Sequence, residues 1–150
     1  MASTSLIPQL RYSRDVLVGI PHLSVNEAVI WNRFLIQDES KRYMAFDYDI
    51  KVGEFAKAAI LNPTPQNMLT LGTFAKRIDA VGFLSHSIVD IFEIKPERLA
   101  NAVGQLLLYK KLFEDTFPLL SIHSLIAVLD KADDELVSFA HSYDITVLIV

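Results

Sequence analysis

The feature that most constrains this fold is an apolar run near the end of the sequence. Ile122–Leu129 is apolar along most of its length and predicts a strand. A helix is predicted from Asp130 to about Tyr143, and Ile145–Val150 reads as a further strand. A strand, helix and strand within so few residues favour a parallel crossover, whose strands are covered on both faces.

The composition fits such a buried sheet. Of the 150 residues, 51% are hydrophobic and only 21% are charged, and the mean hydropathy is +0.31. The longest stretch without a charged residue, Ala58–Ala75, contains Asn62, Pro63 and Pro65, which a lipid-facing helix would not keep together. We therefore expect no membrane partner and a single domain spanning residues 1–150.

Charge and cysteine content exclude several function classes. The net charge of −4 argues against a bulk polybasic binder of nucleic acid or membrane, although it does not exclude a local basic patch. The absence of cysteine removes disulfides, thiol catalysis and Cys-ligated metal sites. It is compatible with a reducing compartment, and we expect a cytoplasmic location.

The other elements follow from periodicity and turn residues. They are a helix with a capping box at Ser24–Glu27, a strand at Tyr43–Ile50, a short helix or strand at Glu54–Leu61, a loop at Asn62–Pro65, a hairpin of Phe74–Leu84 and Ile88–Lys95, and a helix at Glu97–Phe113. This order predicts an α/β fold. Its three-layer αβββαβ core has a mixed central sheet flanked by helices, and an αβ extension follows at the C-terminal end.

The hairpin concentrates the charged residues. With its turn centred on His86, Gly82 faces Asp90 and Asp79 faces Glu93, with Cβ atoms roughly 5 Å apart. A slip of one residue in this register would move the charged side chains of one strand to the other face of the sheet. The register thus predicts two carboxylates side by side on one face.

Two explanations fit these carboxylates. Lys95 lies two residues beyond Glu93 and, in this register, opposite Arg77, so Asp79–Arg77 and Glu93–Lys95 ion pairs would neutralise the cluster. Alternatively, two hard carboxylate ligands suit Mg²⁺, which keeps waters and takes further ligands from a phosphate substrate.

The arrangement resembles a known family. Arg77–Asp79, then Glu93–Lys95 on the next strand, then a helix carrying Gln105 and Tyr109, look like the PD-(D/E)XK nuclease superfamily, nearest to its RecB-type and resolvase-like members. The resemblance covers about Ser24–Leu129. Ile78 stands where the family's name pattern has proline, a residue that is dispensable in the RecB-type branch.

The resemblance implies a metal-dependent nuclease acting on DNA, in a repair, recombination or mobile-element role. Asp79 and Glu93 would bind Mg²⁺ or Mn²⁺, with the Ile94 carbonyl as a backbone ligand, and Lys95 would position or activate the water. The resemblance also implies that Gln105 and Tyr109 would face the substrate phosphate or Lys95.

Members of the family often use a further glutamate on the first core helix. Glu27 is the candidate metal ligand, although it is equally the capping-box partner of Ser24, and Glu54 is a substitute. The resemblance also allows a homodimer.

Further basic residues would bind the DNA backbone. Arg77, Arg98 and Lys110 lie around the hairpin and the following helix, where a local positive rim suits phosphodiester binding. Solvated surface cations are the ordinary alternative. Two other readings of the whole chain stay open: a catalytically inactive nuclease-like module for nucleic-acid binding or assembly, and an ordinary α/β domain with an ion-pair cluster.

Other polar residues form no recognised site in the sequence. Asp47 and Asp49 share a predicted strand face. They could add acid to the site, although such alternation is more often a solvated edge. The histidines are scattered without ligand spacing, and no glycine-rich phosphate loop is present. These histidines are His22, His86, His123 and His141.

Overall fold

The structure, a computed structural model, describes residues 6–15 and 19–150. The helices are α1 (Val25–Leu35), α2 (Glu54–Leu61), α3 (Pro65–Phe74), α4 (Leu99–Thr116) and α5 (Asp134–Ser142), with a 3₁₀ segment at Asp38–Arg42. The strands are β1 (Ala45–Val52), β2 (Lys76–Phe83), β3 (Ile88–Lys95), β4 (Ser121–Leu129) and β5 (Ile145–Ile149).

The five strands form one mixed sheet in the order β1-β2-β3-β4-β5. The first three strands pair antiparallel, whereas β4 pairs parallel to β3, and β5 parallel to β4. The predicted crossover at the C-terminal end is therefore confirmed. The fold is α/β with a mixed central sheet, as predicted.

Helices cover both faces of the sheet and create two cores. On one face, Trp31 and Phe34 of α1 pack in an aromatic cluster with Phe46 of β1 and Phe92 of β3. On the other face, α4 and α5 pack on the sheet through buried side chains such as Leu106. We call these the α1-side core and the α4-side core. A sheet covered on both faces accounts for the high apolar content.

One helix differs from the sequence-based prediction. Residues Pro65–Phe74 form α3, whereas the sequence-based prediction ended a loop at Pro65, began a strand at Phe74 and gave no element between them. Strand β2 begins only at Lys76. Thr64 caps the helix by accepting a hydrogen bond from Asn67 N at 3.1 Å, and Pro65 occupies the first helical position. Glu54–Leu61 is a helix.

No helix in the described part of the chain combines the length and apolar content needed to cross a bilayer.

Candidate metal and nucleic-acid site

The site is built where β2 and β3 separate. Their ladder runs from Phe83↔Val89 to Ala80↔Phe92 and ends there, although both strands continue beyond it. Beyond that point β2 stays paired with β1, and β3 stays paired with β4. The two strands therefore diverge as a fork, and Asp79 and Glu93 are the first residues inside it. The pair Gly82↔Asp90 has the predicted register.

The backbone turns Asp79 into this fork. Residues two apart on a strand normally face the same side of a sheet, yet Ala80 belongs to the α1-side core and Ile78 to the α4-side core. Asp79 lies at this change of face. Its Oδ2 accepts a hydrogen bond from Ile94 N at 2.9 Å, so its carboxylate takes the place of a missing ladder partner.

The Ile94 carbonyl points into the same fork. The N–H and C=O of one residue lie on the same side of a strand, as the paired bonds of an antiparallel ladder require. Since Ile94 N–H reaches Asp79, the Ile94 carbonyl opens toward the fork as well. The backbone oxygen implied by the family resemblance is thus on the correct side of β3.

Both carboxylates are buried. Asp79 is 7% exposed and Glu93 is 2% exposed. Lys95 Nζ lies 3.2 Å from Glu93 Oε1. The second oxygen, Glu93 Oε2, is buried, and no hydrogen-bond donor in the described residues reaches it. A buried carboxylate oxygen without a donor is costly unless a cation neutralises it.

Burial and mutual repulsion raise the pKa of both carboxyls in this pair. Burial raises the pKa of Glu93 above its usual range, and the neighbouring Asp79 carboxylate raises it further, against the lowering effect of Lys95. Burial also raises the pKa of Asp79, although the hydrogen bond from Ile94 N opposes this. Of the lysines in the described ranges, Lys95 alone contacts this carboxylate pair, so additional positive charge would favour the ionised forms of both carboxyls.

Arg77 does not join the pair. The prediction that it lies opposite Lys95 is wrong, because β2 and β3 have separated before that point and Arg77 instead pairs with Lys51 of β1. Its guanidinium binds Asp49 at 3.1 Å and the Gly72 carbonyl at 2.8 Å. Of the two predicted ion pairs, Glu93–Lys95 forms, whereas Asp79–Arg77 does not, because Arg77 binds Asp49.

Helix α4 brings the predicted glutamine and tyrosine to the carboxylates. Tyr109 is 8% exposed, and burial raises the pKa of its phenol to about 12, with the Glu93 carboxylate as the next cause. Gln105 Nε2 lies 3.5 Å from the Tyr109 hydroxyl, a long contact one helical turn away. A phenol of raised pKa stays protonated near neutral pH and can donate a hydrogen bond to an oxyanion.

The N-terminal end of α1 also approaches the pair. Glu27 forms the predicted capping box, since its Oε2 accepts from Ser24 N at 3.0 Å. Its charge also raises the pKa of both Asp79 and Glu93, so the cap does not remove Glu27 from the site. A direct role as metal ligand stays a prediction.

His22 was not singled out by the sequence. Its charge lowers the pKa of Asp79, which places it in the same electrostatic neighbourhood. His22 precedes the capping box by two residues, so locating α1 beside the fork would have been the signal needed to find it. It has φ of 71°, a left-handed conformation that is uncommon for a residue with a Cβ atom.

The other predicted cations lie on the surface. Lys110 is exposed and pairs with Glu114 at 2.6 Å. Arg98 is exposed, has φ of 71° and immediately precedes α4. It lines a groove with Lys131 and Asp133, near the carboxyl ends of β3 and β4. The fork thus contains Lys95 alone of the predicted basic residues, and contacts of the others with a phosphate backbone stay predictions.

Two further aspartates are buried away from the fork. Asp47, predicted on a solvated edge, is 1% exposed and accepts from Gln9 N at 2.9 Å, which fastens the N-terminal segment to β1. Asp90 is fully buried, where it accepts from the Tyr43 hydroxyl at 2.6 Å and contacts His123 Nδ1 at 3.0 Å. The solvated-edge interpretation of Asp47 is wrong because strand alternation alone cannot show that the preceding segment covers β1.

The donor set suits a hard cation that keeps waters. Among residues 6–15 and 19–150, no three His, Cys, Asp or Glu side chains converge as a complete ligand set. Two carboxylates and a backbone carbonyl are nevertheless the kind of incomplete oxygen set that Mg²⁺ accepts. The unpartnered Oε2 of Glu93 fits such an ion.

Comparisons with family models, with curated proteins and with solved structures return no match for this chain. The nuclease resemblance therefore stays a prediction, and its support is the geometry of the fork.

Proposed function

We propose that this chain is a nuclease dependent on Mg²⁺ or Mn²⁺ that hydrolyses the phosphodiester bonds of DNA. Asp79, Glu93 and the Ile94 carbonyl would hold the ion, and Glu27 would complete the acidic surroundings. A cytoplasmic location and a homodimer belong to the same proposal.

The observation that carries it is the uncompensated carboxylate pair. Natural folds bury charges when they are paired or bind a metal, and the fork contains two buried carboxylates with one contacting lysine. The ion-pair explanation is weakened because Arg77 binds Asp49 instead of Asp79. A divalent cation would supply the missing positive charge and would stabilise the charge on a phosphate substrate.

The chain's own residues divide the remaining work. Lys95 is partly exposed, at 26%, so its ammonium can hold a water at the mouth of the fork while Glu93 fixes its direction. Tyr109 keeps its proton and can donate to a phosphate oxygen, with Gln105 positioning the hydroxyl. These roles require the substrate phosphate to enter between β3 and α4.

The inactive-module alternative is favoured by one observation. The described residues contain no third acidic or histidine side chain placed as a ligand. In that case the chain would bind nucleic acid without cleaving it. Calorimetric titration with Mn²⁺ separates the two proposals, because a module without metal chemistry should bind DNA and release no binding heat with Mn²⁺.

A cleavage assay tests the nuclease proposal. Labelled duplex, single-stranded and branched DNA would be incubated with the protein and Mg²⁺ or Mn²⁺. We expect cleavage that chelation abolishes and that Lys95→Ala lowers by about 100-fold or more, as for other positioned acid–base groups. Lys41→Ala is the matched control, since Lys41 pairs with Asp38 on an exposed surface.

Two outcomes would contradict the proposal. One is no cleavage of any of these DNAs with either metal. The other is cleavage that Lys95→Ala and Lys41→Ala affect equally, which would indicate a contaminating enzyme.

A further inference from the structure

The helical arm, defined as α2 and α3 (Glu54–Phe74), stands at the same end of the sheet as the fork. It connects the last residue of β1, Val52, to the first residue of β2, Lys76, and these two residues pair with each other. Lys95 ends β3 at this same end, because β3 is antiparallel to β2. A small cluster of its own, Ala56, Ala59 and Leu71, holds the arm together.

The segment from Phe55 to Ile78, which includes most of the arm and the start of β2, differs in charge from the rest of the chain. Between Glu54 and Asp79 there is no acidic residue, whereas Lys57, Lys76 and Arg77 are cationic. The chain as a whole has a net charge of −4. Lys57 of the arm and Lys76, the first residue of β2, are exposed. Their positive charge complements a polyanion, although Leu61 and Leu69 make part of the arm's exposed surface apolar.

The arm also exposes an aromatic ring. Phe74 in the last turn of α3 is 63% exposed, and its ring centroid lies 5.8 Å from that of Phe55 on α2 at an angle of 36°. Phe55 thus supports one side of the Phe74 ring. An exposed ring with its position fixed by a second ring is a suitable platform for stacking a base.

Arg77 ties the end of α3 to β1. It donates to the Gly72 carbonyl of α3 at 2.8 Å and binds Asp49 of β1 at 3.1 Å. Phe74 precedes Asp79 by five residues, so at about 3.3 Å per residue the two lie within about 17 Å. A single strand of at most about five nucleotides, at about 3.4 Å each, would therefore span from Phe74 to the fork.

We propose that the helical arm, together with Lys76 at the start of β2, binds single-stranded nucleic acid, with Phe74 stacking on an unpaired base and Lys57 and Lys76 contacting the flanking phosphates. Stacking needs an unpaired base face, so single-stranded or frayed ends are the preferred substrate class. This inference rests on the proposed function for its biological meaning, but the binding it describes requires no metal at the fork.

Fluorescence anisotropy with a labelled oligo(dT) and a matched blunt hairpin duplex, in chelator, tests the arm separately from cleavage. We expect the wild type to bind oligo(dT) more tightly than the duplex. Phe74→Ala should weaken oligo(dT) binding by about 5- to 100-fold, the range for loss of one stacked base. Leu119→Ala, at a 90% exposed apolar position outside the arm, should change nothing.

Phe74→Trp supplies a positive readout. The chain's single tryptophan, Trp31, is fully buried, so the new indole should dominate the change in fluorescence. We expect quenching on addition of oligo(dT), together with wild-type affinity or better.

The arm proposal is overturned by equal binding of wild type and Phe74→Ala, by preference for the duplex, or by binding only to anionic lipid vesicles. Failure of metal binding or cleavage, with Phe74-dependent oligo(dT) binding intact, would overturn the nuclease proposal alone.

Discussion

At the scale of single residues, the buried Asp79–Glu93 pair is the most informative feature of the molecule. The sequence predicted that they would be adjacent, because a short hairpin connection sets the register of its strands. It could not predict that Asp79 turns into a fork and accepts from Ile94 N, since that depends on where two strands stop pairing. The burial of Asp47 could not be predicted either, because it depends on a segment distant in sequence, which includes Gln9, packing against β1.

The raised pKa of Glu93 gives stability a definite pH dependence. A carboxyl whose pKa is raised on folding holds its proton more tightly in the folded state, so the free energy of unfolding is highest at acid pH and falls as pH rises through the raised pKa. In chelator, we expect this fall between the ordinary pKa of 4.5 and the raised pKa of about 8, with a slope of at most about 1.4 kcal/mol per pH unit for one retained proton.

Denaturant unfolding across this pH range checks the prediction. Glu93→Gln should flatten the curve, whereas Glu114→Gln, at a half-exposed ion-paired position, should not. A wild-type curve that rises toward alkaline pH would mean that Glu93 is not protonated in the folded state.

Asp79 has a structural contact that can be separated from metal binding. Asp79→Asn keeps an oxygen that can accept from Ile94 N, whereas Asp79→Ala leaves this buried N–H without a partner. We expect Asp79→Ala to be less stable than Asp79→Asn by about 1–3 kcal/mol in urea unfolding. Equal stability of the two variants would show that the bond to Ile94 contributes little.

At the scale of elements, the fork and the helical arm are what the sequence described least well. Helices α1 and α4 were predicted because capping and apolar periodicity mark them. Helix α3 was missed because its residues carry no charge and only Leu71 among them is buried, so no amphipathic pattern appears. The Thr64-Pro65 pair was its only local signal.

Arg77 is predicted to act as a tie between α3 and the sheet. Arg77→Ala removes the bonds to Gly72 and Asp49, so amide hydrogen exchange of Pro65–Phe74 should accelerate by about tenfold. Exchange in α4 should stay unchanged. Arg33→Ala, which breaks an exposed ion pair with Asp130, is the control. If α3 exchanges at the same rate in wild type, Arg77→Ala and Arg33→Ala, then Arg77 does not hold the arm.

At the scale of the whole molecule, the fold shows how an acidic, apolar chain can keep a segment that contains no acidic residue. The two-sided sheet uses the apolar residues as core, and several acids are taken up by buried contacts or helix caps. The acid-free segment from Phe55 to Ile78 then provides the positive surface at the end of the sheet where the fork opens. The overall net charge does not show that this segment lacks acidic residues. The arrangement of the elements adds that the segment lies at the same end of the sheet as the fork.

A crystal structure soaked in Mn²⁺, with anomalous scattering recorded at the manganese edge, tests the central claim most directly. The account predicts one anomalous peak in the fork, within ligand distance of Asp79, Glu93 and the Ile94 carbonyl, and no peak there in Asp79→Asn crystals. A wild-type fork without manganese at saturating concentration, or a peak that persists in Asp79→Asn, would contradict the account.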